Sequence, residues 1–258
     1  MSFAIRPNQF AADIAAAVLF CTRLPVGRAH SPSGSDIARA SWAFPIAGVV
    51  VGIIAAAVYW LVRHFGVPSL VAAGLTLAVT LAVTGCLHED GLADVADSFG
   101  GATRERKLAI MRDSQIGTFG ACALALSLLL RCAALAAIPD AMLAAPALIA
   151  AHVAARATLP AFMALVSPAR ADGLSAGAGK PHSITAVVAA ILGLVALGLA
   201  FGPAAGLVAL ALLLAAFGLL AWWCVKQIGG QTGDILGALE QFGEIAVLVV
   251  AAASIQSL

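Results

Sequence analysis

Asp90, Asp94 and Asp97 recur at i, i+4 and i+7 within the stretch 84–120, TGCLHEDGLADVADSFGGATRERKLAIMRDSQIGTFG. On a helix that spacing sets three carboxylates on one face, while Leu92, Val95 and Phe99 point elsewhere. Like charges so arranged repel unless a cation sits among them. Oxygen donors with no cysteine partner suit Mg²⁺, with Mn²⁺ as a substitute, better than Zn²⁺. Glu89 and Asp113 flank the three and complete the candidate metal-ligand set. A solvated acidic loop between two apolar runs would carry the same charge but would need no regular spacing.

Cations follow directly. Gly100 and Gly101 break the helix, Thr103 is placed to cap the next one, and Arg104, Arg106 and Lys107 crowd that second short helix, with Arg112 close behind. Carboxylates that hold a divalent metal, beside cations that hold phosphate oxygens, are the apparatus of phosphoryl transfer. Asp90, Asp94 and Asp97 are therefore the candidate catalytic residues.

A second polar cluster is 226–244, KQIGGQTGDILGALEQFGE. Gly229, Gly230 and Gly233 leave backbone amides accessible, and Thr232 or Gly233 could open a helix whose N-terminus favours a phosphate. Asp234 and Glu240 could add metal or hydroxyl contacts. By itself the run also fits an ordinary helix cap with a solvated first turn, and it matches neither common phosphate-loop pattern. Deeper in the chain, His152 and Arg156 lie one turn apart on one face of an apolar run. Charge there is costly and is paired or functional, so the two either meet a phosphate or pair structurally. Arg131, toward the far end of its own run, is expected to snorkel. The candidate substrate- or phosphate-binding set is Arg104, Arg112, Gly230, Thr232, Asp234, His152, Arg156 and Arg23. The loop 167–183, rich in Gly, Ser and Pro, is either a closing segment over the substrate or a mobile tether.

The elements that position these groups follow from composition. Of the 258 residues 62% are hydrophobic and 10% charged, and the mean hydropathy is +1.03. A soluble domain has roughly 25% charged residues, so the chain belongs in a lipid bilayer. A net charge of +1 says nothing about nucleic acid, and with no basic run interleaved with aromatics to argue for one, no nucleic-acid partner is expected. The five cysteines are scattered and read as small buried hydrophobes. Asp13 and the bulky Phe20 argue against a cleaved signal peptide, leaving a short N-terminal helix over 10–21 that lies in the interface or crosses partway.

Seven apolar runs are long enough to cross the bilayer or nearly so: 42–62, 67–87, 116–138, 141–166, 184–201, 203–225 and 245–258, the last extended by a helix starting near Asp234. The expected fold is all-α, a polytopic helical bundle forming a single domain over 1–258. Its active-site loops are 88–115, 167–183 and 226–244. Eleven of the 14 cations fall on one side of this topology, only Arg63 on the other, and Arg131 and Arg156 within spans. That asymmetry places the long polar loops in the cytoplasm. The opposite connections are short, and neither an internal repeat nor a matched pair of broken helices is present. A one-sided membrane enzyme fits this pattern better than an ion or metabolite transporter.

Four segments in order, FCTRLPVG, TGCLHEDGLADVADSFGG, IMRDSQIGTFG and GGQTGDILGALEQ, resemble the cobalamin synthase family, adenosylcobinamide-GDP ribazoletransferase, over nearly the whole chain. His88-Glu89-Asp90 departs from the family, which more often has an apolar residue where Glu89 stands; this lowers Glu89 as a ligand. The resemblance implies a bacterial inner-membrane, Mg²⁺-dependent enzyme. It would join α-ribazole, or its 5′-phosphate, to adenosylcobinamide-GDP and release GMP late in cobalamin biosynthesis. A homo-oligomer is compatible with the sequence. Asp90-Gly91 is also similar to the start of the CDP-alcohol phosphotransferase motif. However, Leu92-Ala93-Asp94 follows, without the Ala-Arg of those enzymes, so a phospholipid-type phosphotransferase stands second.

Overall fold

The computed structural model describes residues 7–26 and 34–255. Arg6 and Arg28, two of the cations expected on the cytoplasmic side, and the last three residues of the final apolar run lie outside them. The chain begins with α1 (Pro7–Cys21), α2 (Gly34–Ala40) and a single 3₁₀ turn (Ser41–Ala43) that leads into α3 (Phe44–His64). Asp13 of α1 accepts from Arg39 Nε at 2.9 Å and from Trp42 Nε1 at 3.1 Å, and the Phe20 and Phe44 rings stack 5.3 Å apart. These contacts dock the N-terminal helix against α2 and α3. Its 15 residues amount to about 22 Å, less than a hydrocarbon core of roughly 30 Å.

The next apolar run is interrupted sooner than its composition suggests. Rather than continuing through 67–87, α4 (Ser69–Thr84) stops where Gly85 and Cys86 both take positive φ, 65° and 56°. The chain then turns by 92° into α5 (Leu87–Asp97). The backbone at Gly85-Cys86, invisible to hydropathy, converts the end of a span into a helix that runs across the end of α4. After a 3₁₀ turn through Gly100, α6 (Arg104–Ile110) starts as expected at Thr103, whose hydroxyl accepts from the Arg106 amide at 3.2 Å.

The remaining helices are α7 (Thr118–Ala136), α8 (Ala141–Leu165), a single turn α9 (Leu174–Ala178), α10 (Ser183–Ile228) and α11 (Gly233–Ile255). α10 is broken where expected, at Gly202 (φ 69°, ψ −173°) with Pro203 next. A Cβ at Gly206 would lie 3.5 Å from the Leu197 carbonyl. Residues nine apart in a straight helix are separated by about 13 Å, so the chain doubles back here into two antiparallel arms. α11 runs unbroken from Gly233, which confirms that the last span begins near Asp234.

Among the described residues, five helices are long and apolar enough to cross a membrane, or six if α4 and α5 count as one bent span. The all-α, multi-pass architecture is thus present. α8 and α11 form the centre, each with 72% of its apolar window buried, whereas α10 and α7 bury only 22% and 28% of theirs. Leu199, Leu207, Leu219 and Trp222 of α10 are exposed in the manner of lipid-facing side chains.

Small residues let the central helices meet. Gly48 and Gly52 of α3 lie against the backbone of His152 and Ile149 in α8, and Gly243 of α11 lies against Ala155. Without a hydrophobic drive between helices in lipid, such close approach supplies the packing. Gly48→Ala should therefore lower the unfolding temperature in detergent, by an amount corresponding to about 1–3 kcal/mol of overpacking. Gly198→Ala, where a Cβ meets open space, should be neutral or slightly stabilising. Equal effects of the two substitutions would contradict this packing.

Candidate active site

The site begins with a contact between two glycines. Gly91 of α5 faces α11 so closely that a Cβ there would lie 2.7 Å from the Asp234 carbonyl oxygen. Gly237 of α11 is 3.1 Å by the same measure from the His88 carbonyl and 3.2 Å from the Gly91 Cα. The two helices therefore touch backbone to backbone, and carboxylates on either side of the contact are drawn into one place. Asp90 and Asp94 from α5, Asp234 from α11 and Asp113 from the turn after α6 line a cleft of about 540 Å³, together with Glu89, Arg112, Ser114 and Gln115.

Burial, then the negative charges of Asp234, Asp90 and Asp97, push the Asp94 carboxyl up to about 7, against the lowering influence of Arg170. An anion crowded by anions is a site that gains from a cation. The four aspartates offer oxygen donors, which fit Mg²⁺ or Mn²⁺; Cys86 also lines the cleft, its thiol pushed up by burial and by Glu89 and Asp90, so it stays protonated.

Asp97 is placed differently from its two partners. Its Oδ2 accepts from the Gly117 amide at 2.7 Å and its Oδ1 from the Gly120 amide at 2.8 Å. It caps α7 instead of lining the cleft, with Gly117 and Gly120 leaving no room for a Cβ beside its carboxylate. Asp234 takes the third position among the helix-borne aspartates. Thr232 supports it, donating its hydroxyl to Asp234 Oδ2 at 3.0 Å while accepting from the Ile235 amide at 3.4 Å.

The candidate phosphate-binding cations are mostly engaged. Arg104 donates to the Ile228 carbonyl at 2.9 Å and the Ala169 carbonyl at 2.7 Å. Arg112 donates to both oxygens of Asp172, at 2.7 and 2.6 Å. Gly230, at φ 152°, lies hard against the Ser167 carbonyl, where it permits a two-bond bridge between Pro168 and Gln231. Arg23 is not among the residues lining the cleft; its side chain packs against Gly85, and it lines an otherwise apolar groove of about 570 Å³ between α3 and α4.

His152 and Arg156 lie in a buried network deeper in the bundle. Arg156 pairs with Glu240 and, at 3.0 Å, with Glu244; His152 hydrogen-bonds to Glu244; His88 stands 3.6 Å from Glu240. Arg131 does not snorkel. It is 1% exposed, and its two terminal nitrogens meet Glu244 and Glu89, each at 3.0 Å. Gln241 joins the set, donating to Glu89 and Glu240 at 3.1 Å and accepting from Ser127 at 2.9 Å. Two arginines thus face three glutamates in the interior, where an unpartnered charge would cost several kcal/mol.

Sequence reasoning missed Glu244, and it missed how these helices combine. The signal was Glu240 and Glu244 at i, i+4, matching His152 and Arg156 at the same spacing. His152, Glu240 and Glu244 bring ligand atoms within 4.8 Å of one another, but the Arg156 guanidinium already occupies the space beside both glutamates and repels a cation. No other group of three such side chains among the described residues is drawn as close, the cleft aspartates included.

The family described as cobalamin-5-phosphate synthase matches residues 13–252. A protein of Bradyrhizobium diazoefficiens named adenosylcobinamide-GDP ribazoletransferase is 56% identical over 94% of this chain and 94% of its own length. Proteins of the same name from Mesorhizobium japonicum and Azorhizobium caulinodans are 51% and 43% identical, covering 98% and 95% of this chain and 97% of each relative. No solved structure matches. With nearly its whole length, the α5 carboxylates and the α11 glycine turn included, inside that match, the chain belongs to the cobalamin-5-phosphate synthase family.

Proposed function

We propose that this chain is an adenosylcobinamide-GDP ribazoletransferase of the bacterial inner membrane, working with Mg²⁺ at a cytoplasm-facing cleft. The observation that carries this reading is the convergence of Asp90, Asp94 and Asp234 across the Gly91–Gly237 contact. The names of its relatives supply the substrate class. That membership favours it over a CDP-alcohol phosphotransferase or a transporter.

In the proposed reaction a hydroxyl oxygen of α-ribazole, or of its 5′-phosphate, bonds to the phosphorus on the cobinamide side of the diphosphate. The bond from that phosphorus to the bridging oxygen breaks, GMP departs with the bond's electron pair, and the hydroxyl proton passes to a cleft carboxylate. Asp90, Asp94 and Asp234 are the side chains that would hold the metal. Once bound, Mg²⁺ supplies charge neutralisation for the diphosphate oxygens. The protein's own part is to aim the carboxylates: Thr232 fixes Asp234, and Asp97 ties α5 to the start of α7, so the acceptor and the diphosphate meet on a prearranged surface.

Asp94→Asn should reduce GMP release from adenosylcobinamide-GDP by about 10³-fold while inserting normally, as judged by detergent extraction and elution volume; near-normal turnover would remove the metal role. Stripping divalent ions with EDTA should abolish turnover in the wild type, and Mg²⁺ alone should restore it. For topology, cysteines at the exposed positions Ser114 and Ala171, in a cysteine-free background, should label only from the cytoplasmic side and one at His64 only from the other. Periplasmic labelling at Ser114 would reverse the orientation.

A further inference from the structure

We propose, building on the diphosphate-transfer reading above, that Arg170 is the side chain that meets the substrate's diphosphate, held ready by a bridge between the loop after α8 and the turn before α11. Transfer at a diphosphate calls for a fixed cation beyond the metal, to meet charge on the departing phosphate. Near the cleft, Arg104 is committed to two backbone carbonyls and Arg112 to Asp172. Arg170 is not committed in this way. Its side chain is 16% exposed, and its closest carboxylate oxygens, Asp234 Oδ2 and Asp172 Oδ1, each stand 3.9 Å away. That is beyond hydrogen-bond length. Its Nη1 is buried without any hydrogen-bond partner, a costly condition for a guanidinium that an added acceptor oxygen would relieve.

The backbone around Arg170 is fixed to the element that carries Asp234. The Ala169 amide donates to the Gln231 carbonyl at 2.8 Å and the Gln231 amide to the Ser167 carbonyl at 2.9 Å. Arg104 Nη2 grips the Ala169 carbonyl from the other side. Gly230 is required here because a side chain would collide with Ser167. On the far side Arg112 holds Asp172. The groups expected to bind phosphate directly, Arg104, Arg112 and Gly230, thus act as positioning residues that set one arginine between Asp172 and Asp234. A guanidinium matches diphosphate oxygens with a planar fork, which a lysine cannot reproduce.

The test uses full-length protein in detergent with two readouts, GMP release from adenosylcobinamide-GDP and binding of inorganic pyrophosphate with Mg²⁺. Arg170→Gln should keep the wild-type elution volume, lose kcat/KM by about 10²–10³-fold and lose pyrophosphate binding. Arg170→Lys should recover part of each. An Arg170→Gln protein with both readouts within twofold of wild type would overturn the assignment. If that variant fails to fold, Arg170→Lys decides by the same measurements, with wild-type values for both counting against. Should wild type bind pyrophosphate through Arg170 yet release no GMP, the transferase reading falls and the anion subsite stands.

Discussion

Gly91 and Gly237 remove the side chains that would otherwise hold α5 and α11 a few ångströms apart, and the proposed chemistry depends on that closeness. Helix axes that pack through ordinary side chains stand 8–10 Å apart; here backbone meets backbone. The benefit is geometric. Short aspartate side chains have little reach, so carboxylates from two helices can share one cleft only if the helices themselves nearly touch. The cost is concentrated negative charge, visible in the elevated Asp94 carboxyl, which the proposed divalent cation would offset.

A second set of charges keeps those helices where they are. Glu89 is next to Asp90 in sequence yet faces inward to Arg131, and through Glu244 and Arg156 the same network includes α7, α8 and α11. In a bilayer such groups cannot be abandoned to lipid, so each helix is obliged to keep its register with the others. Apolar packing alone would leave them freer to slide, since lipid tails match leucine as well as another helix does.

Much of this was legible in the chain itself. The apolar runs, the Thr103 start of α6, the break at Gly202 and the extension of the last helix to Asp234 all follow from local residue types. So did the carboxylate face of α5, because a period of 3.6 fixes which side chains share a side. The fate of Asp97 was not legible, because the amides it meets belong to Gly117 and Gly120 of another helix. Nor was the stop after Thr84: Cys86 at positive φ is a conformation that residue type discourages and surrounding structure enforces. The pairing of Arg131 with Glu89 and Glu244 depends on which helix faces meet, a property no single stretch contains. Arg170 gave no sign in sequence of standing beside Asp234, since the bridge that brings it there joins residues more than sixty positions apart.

The capping of α7 by Asp97 carries a consequence for how the protein senses its surroundings. One carboxylate fastens the N-terminal end of a largely lipid-exposed helix to α5, three residues before Gly100 and one turn after Asp94. A helix exposed to acyl chains adjusts its tilt to the thickness of the bilayer, and Asp97 is the joint between such a helix and the element that bears Asp90 and Asp94. On the proposed reading, the cleft is thereby tied to a helix that faces lipid, so that thin and thick lipid mixtures would be different environments for the reaction.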